Sequence, residues 1–120
     1  MEESLKKFLL YTAPTGEIRV DVLLQDESVW LTQKAIAELF GVVKSTVSEH
    51  LTNIYTTHEL EETSTVRKIR TLQTEGNRKV NRDLEYYNLD AIISVGYRVN
   101  SAKATQFRIW ATQALKEYII

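Results

Sequence analysis

The stretch TQKAIAELFGVVKSTVSEHL, residues 32 to 51, constrains the fold more than any other part of the chain. Its spacing is that of two short helices joined by a tight turn. Thr32 is a good N-cap residue, and Gln33 to Phe40 behind it are helix formers whose apolar members Ile36, Ala37, Leu39 and Phe40 share one stripe. Ala37 is small where a second helix must cross closely. Gly41 can take positive φ and close the turn, and Val42 then tucks inward. A second helix begins near Lys44 or Ser45, with Val47, Leu51 and Ile54 at i, i+4 and i+7 facing the first helix and the core. Together these positions give the Gln-x3-Ala-x3-Gly-x5-Val pattern of a helix-turn-helix.

In such a unit the outward residues near the start of the second helix reach base edges of DNA, and the first helix lies against the phosphate backbone. Lys44, Ser45, Thr46 and Ser48 suit base or phosphate contacts, with Thr52 further along the same face. Glu49 suits them less, because a carboxylate accepts from cytosine but repels phosphate. The competing reading is an ordinary helix hairpin with a solvated polar face.

A net charge of −1 looks unsuited to nucleic acid until it is divided along the chain. Residues 17 to 62 hold nine acids and three bases. Residues 67 to 82 reverse the sign, with Arg67, Lys68, Arg70, Arg78, Lys79 and Arg82 against Glu75 alone. An asymmetry of this kind supplies an electrostatic footprint, because phosphate neutralisation carries most nonspecific affinity. The basic segment also has a shape. Thr65 to Thr74 and Lys79 to Tyr87 are rich in Thr, Val, Ile, Leu and Tyr, and Glu75-Gly76-Asn77 between them is a turn signal. A basic hairpin after a helix-turn-helix resembles a wing whose tip grips phosphates or enters the minor groove. A plain hairpin made soluble by its charges is the alternative.

Ahead of the helix pair, Phe8 to Thr12, a turn at Ala13-Pro14-Thr15-Gly16, and the alternating Ile18-Val20-Val22-Leu24 predict another hairpin, with Val29-Trp30-Leu31 a third short apolar piece. Trp30, just before the N-cap, reads as a core or staple residue. After the basic hairpin, Asn88 or its neighbour caps a helix carrying Leu89, Ile92, Ile93 and Gly96 on one face, with Asp90 in its first turn. Phe107, Trp110, Ala111, Ala114, Leu115 and Tyr118 then recur as an amphipathic stripe. Periodicity leaves open whether that stripe belongs to the core or to a dimer seam. The expected fold class is α+β: a helix-turn-helix with small antiparallel β-hairpins, winged-helix-like, and a C-terminal amphipathic helix. The 120 residues are one domain's worth, and the apolar end at Ile119-Ile120 suggests the N-terminal part of a longer protein.

Other chemistry is thin. The sequence has no cysteine, so it offers no disulfide, thiolate metal site or cysteine nucleophile. It has no apolar run of membrane-spanning length and no secretory signal, and a cytoplasmic location is expected. His50 and His58 lie eight residues apart without an HExxH motif or paired cysteines, and read as solvated or capping residues. Asp83 and Glu85 alternate with Leu84 as a nuclease metal pair can, without a catalytic lysine at suitable spacing. No enzyme, metal, cofactor or small-molecule ligand is expected.

Between the last two helices lies GYRVNSAKATQFRIWA. With VWLTQKAIAELFGVVKSTVSEHLTNIY and YYNLDAIISVGYRVNS, it resembles the N-terminal domain of the RhuM family of bacterial virulence-associated proteins, and more distantly the Bro-N and antirepressor modules of viruses and phages. The resemblance runs from about Gly16 to Tyr118. It implies a helix-turn-helix domain of a bacterial genomic-island or prophage-related protein, binding DNA. Arg98, Asn100, Ser101, Lys103, Thr105, Gln106 and Arg108 match the family motif. In one reading Arg98, Lys103 and Arg108 contact phosphate beside a helix N-terminus near Thr105. In the other, Asn100 and Ser101 make a turn while Arg98 or Arg108 satisfies carbonyls and acids. Val43, where a polar residue more usually opens the recognition helix, is a departure, as is Glu49 on the outward side. The chain is thus expected to be a homodimeric transcription regulator on double-stranded DNA. The alternative is a protein-interaction or oligomerisation module that keeps the fold without specific DNA binding.

Overall fold

A computed structural model describes residues 23–25 and 28–118. Two short strands open the described chain, β1 (Leu23–Gln25) and β2 (Ser28–Trp30), paired antiparallel with Leu23 opposite Trp30. The hairpin expected upstream, from Phe8 to the alternating segment, lies outside the described residues apart from its last positions. Helices α1 (Gln33–Phe40) and α2 (Lys44–Thr56) follow, then a single helical turn α3 (Glu62–Thr65). A long antiparallel hairpin comes next, β3 (Val66–Glu75) and β4 (Arg78–Tyr87), and the chain continues through α4 (Leu89–Arg98) and α5 (Ala102–Tyr118). The α+β class and the C-terminal helix are as expected.

The helix pair forms for the local reasons read in the sequence. The Thr32 side chain accepts the Ala35 amide at 3.1 Å and caps α1. Gly41 takes φ 66° and ψ 39°, a left-handed conformation that a side chain disfavours. Its amide then reaches the Glu38 carbonyl and the Val42 amide reaches Ala37, a paired closure of the helix end. At the end of α2, His58 adopts the same left-handed conformation at φ 60°, with the His58 and Glu59 amides bonded to Tyr55 and Ile54 carbonyls. It is a capping residue, as one of its two readings held.

Val47, Leu51 and Ile54 of α2 are buried against α1, whose Ala35, Ile36, Ala37, Leu39 and Phe40 are buried in turn. One cluster joins these to Val29, Leu31, Tyr87, Ala91, Ile92, Val95, Val99, Ala104, Phe107 and Ala111. The helix pair and the hairpin share this core through a single β-bridge. Leu31, just beyond β2, exchanges both backbone hydrogen bonds with Tyr87 at 2.9 and 2.8 Å, which anchors the base of the hairpin beside the start of α1.

α5 begins at Ala102, not near Thr105, because Ser101 is its cap. The Ser101 hydroxyl accepts the Ala104 amide at 3.0 Å and donates to the Phe40 carbonyl at 2.6 Å, ending α1 and starting α5 with one group. Arg108 donates to the Gly96 and Val99 carbonyls at 2.7 and 2.9 Å and so closes α4. Phe107 meets Phe40 edge to face, centroids 4.9 Å apart, and Trp110 leans on Phe107 at 5.3 Å. Phe107 and Ala111 therefore place the described part of the α5 stripe in the domain core, with Trp110 half-buried at its margin. The contact closes because position 96 carries no side chain. A Cβ there would sit 2.7 Å from the Phe107 ring and 2.9 Å from the Phe40 ring.

Glycine to alanine inside a helix ordinarily stabilises by about 0.5–1 kcal/mol. At position 96 the overlap reverses the sign, and Gly96→Ala is expected to lower unfolding free energy by about 1–3 kcal/mol. Urea denaturation of the two proteins checks this, and an unchanged or raised midpoint would contradict the packing described.

Candidate nucleic-acid interface

The exposed start of α2 and the hairpin lie side by side. Val43 precedes α2 in extended conformation and is 66% exposed; no side chain caps the first turn, in which the Thr46 amide reaches the Val43 carbonyl at 3.1 Å. Lys44 and Ser45 are exposed, Thr46 and Ser48 half-buried, Glu49 and Thr52 exposed. Thr32, Gln33, Lys34 and Lys44 form one wall of an open groove of about 730 Å³, and hairpin residues 71–74 and 83–86 form the other. A second, smaller cleft of about 300 Å³ lies between Ser48, Thr52 and Tyr55 of α2 and Val66, Glu85 and Tyr87 at the hairpin base.

The strand register sorts the hairpin charges. Val66 faces Tyr87 and Glu75 faces Arg78, with Gly76-Asn77 as a two-residue loop. Lys68, Arg70, Lys79, Asp83 and Glu85 lie on one face, and Arg67, Glu75, Arg78 and Arg82 on the other. The second face also carries Ile69, Thr71, Gln73, Val80, Leu84 and Tyr86, all partly covered. The six bases are therefore divided between two faces instead of forming one footprint. Asp83 pairs with Arg70 at 3.3 Å, and Glu85 stands directly opposite Lys68. Arg82 forks onto both Glu75 oxygens at 3.1 and 3.0 Å, and this hydrogen bonding holds the Glu75 carboxyl below its ordinary range. The Arg67 guanidinium lies 4.6 Å from the Trp30 ring centre. Lys68, Arg78 and Lys79 are exposed and make no ion pair among the described residues.

The motif after α4 is engaged inside the protein. Arg98 pairs with Glu59 at 2.7 Å, Arg108 holds the α4 carbonyls and Thr105, and the Lys103 stem packs over Gly41. Of the two readings of these residues, the geometry fits the structural one.

Of the first wall of the groove, sequence reasoning named Lys44 as a site residue and missed Gln33 and Lys34, which the Leu31 to Tyr87 bridge sets beside the hairpin. It also missed Thr65. That buried side chain donates to the Glu61 carbonyl at 2.7 Å and shares a 2.8 Å hydrogen bond with the Tyr55 hydroxyl. Burial pushes the Tyr87 phenol up to about 12, opposed by the hydrogen bond that Gln33 donates to it at 2.9 Å. No group of three or more His, Asp or Glu side chains among the described residues is placed to hold a metal. No helix among them is long and apolar enough to cross a membrane.

Residues 64–120 match the model of the Virulence protein RhuM family. The matched segment takes in the hairpin, α4 and α5 and excludes α1 and α2. No curated protein and no solved structure matches the chain significantly.

A raised phenol pKa means the neutral form is favoured in the folded protein. Its contribution to stability is complete below pH 10 and is lost as pH rises toward 12. Tyr87→Phe is expected to flatten the fall in stability across that window, measured by denaturation at stepped pH. Equal slopes in both proteins would show that Tyr87 does not titrate abnormally.

Proposed function

We propose that the chain is a non-enzymatic DNA-binding protein of transcriptional-regulator type, working in the bacterial cytoplasm as a homodimer. The start of α2 enters the major groove, and the hairpin holds the backbone. The observation that carries this reading is the uncapped, exposed start of α2 beside a hairpin whose bases without an ion pair, Lys68, Arg78 and Lys79, lie outside the groove wall that Asp83 and Glu85 line. Lys44 lies where the helix meets that groove and serves phosphate or guanine, with Ser45, Thr46, Ser48, Glu49 and Thr52 presented behind it. Lys68, Arg78 and Lys79 serve phosphates. Arg67, Arg70 and Arg82 contribute less, since each already has a partner in the protein.

Selection from a randomised duplex pool at two salt concentrations tests the reading. An enriched palindrome is expected, with half-sites about one helical turn apart. Arg78→Ala with Lys79→Ala is expected to weaken binding to every duplex alike and to reduce the salt slope by about two, since each lost phosphate contact contributes roughly 0.9. No binding at low salt would favour the interaction-module alternative, for which the outer side of α5 offers Ile109, 57% exposed.

A further inference from the structure

The outward face of α2 has a hydrogen-bonding character of its own. At about 100° per residue, Glu49 lies nearly opposite the buried Val47, Leu51 and Ile54 stripe, at the middle of the exposed side. It makes no hydrogen bond or ion pair among the described residues, whereas Glu59, Glu75 and Asp83 are each paired with an arginine. The flanking Thr52 hydroxyl donates its proton to the Ser48 carbonyl at 2.9 Å and offers outward only lone pairs. Ser45 and Asn53, also exposed, can donate or accept and set no preference. Lys44 sits on the hairpin side of the helix, in the wall of the larger groove. Glu49 and Thr52 are thus the two groups of this face that can only accept.

We infer that Glu49, with Thr52 beside it, is the specificity-determining acceptor of this interface and reads an exocyclic amine in the major groove, the N4 amine of cytosine before the N6 amine of adenine. This rests on the DNA-binding reading and deepens it. In the major groove only cytosine and adenine present donors, while guanine and thymine present acceptors at the corresponding edge. A carboxylate against guanine or thymine faces lone pairs and nearby phosphates with nothing returned, so the acid acts mainly by rejecting wrong bases. Cytosine is preferred because adenine sets its N7 acceptor beside the amine.

The test compares the purified wild-type chain, Glu49→Gln and Glu49→Ala by duplex selection, then by titration on the enriched duplex and on duplexes changed at single positions. Glu49 is exposed, so both variants are expected to fold, which thermal melts check. The wild type is expected to fix a cytosine, or failing that an adenine, at one position per half-site. The expected preference there is roughly 5- to 150-fold. Glu49→Gln, which can also donate, relaxes that position alone, and Glu49→Ala binds unrelated duplexes more tightly than wild type. A selected motif unchanged by either variant would overturn the role of Glu49 and leave DNA binding standing. Salt-sensitive binding without any enriched motif would overturn it equally, and failure of the wild type to bind any duplex would remove both readings.

Discussion

The edge-to-face contact of Phe40 and Phe107 over the bare backbone of Gly96 is the interaction on which the arrangement depends. Three helices end or begin around it. Phe40 is the last residue of α1, its carbonyl is taken by Ser101, the same hydroxyl caps α5, and Arg108 from α5 closes α4. Helix ends buried without partners leave unsatisfied backbone groups, each costing about 1–3 kcal/mol, and here the three ends satisfy one another. Because Gly41 follows Phe40 directly, this junction also fixes the direction in which the chain leaves for α2. The segment matched by the family model thus holds in place a helix pair that lies outside the match.

Features with local causes were legible in the sequence. The α1 cap, the left-handed Gly41, the buried stripe of α2 and the Asn88 cap of α4 each follow from neighbours within a few residues, and each stands where its residue type predicts. The hairpin was legible to within a residue for the same reason, since Gly76-Asn77 announces its loop. What could not be read depends on distant partners. Ser101 becomes a helix cap because of a carbonyl 61 residues earlier. Thr65 is buried with its hydroxyl bonded to that of Tyr55, ten residues earlier. Polarity along the hairpin does not mark its faces, because Thr71 and Gln73 occupy the partly covered face beside Ile69, Val80 and Leu84. The candidate site was legible as a list of residues and not as an arrangement. Charge counted along the chain stopped at Arg82, and register then brought Asp83 onto Arg70 and Glu85 opposite Lys68.

That pairing changes what charge can do at the proposed interface. Over the whole hairpin, six bases stand against Glu75, Asp83 and Glu85, and two of those acids are ion-paired in the folded protein. Among the described residues of α1, α2 and the hairpin, Lys34, Lys44, Lys68, Arg78 and Lys79 are exposed and make no ion pair, and the last three are split between the two hairpin faces. Counterion release scales with phosphates neutralised, about 0.9 in salt slope for each, so under the proposed reading so few cations would give one copy only a modest nonspecific affinity. A protein placed this way gains little from tighter backbone contact, which raises binding to all sequences together. It gains more from a group that penalises wrong ones, because occupancy of a site is set by the ratio of specific to nonspecific binding. In the proposed interface, an unpaired carboxylate at the centre of α2 would lower affinity for every duplex that sets an acceptor against it and lose little where an amine meets it. An acid at the centre of a helix proposed to face DNA is, on this reading, what makes a weakly basic surface selective.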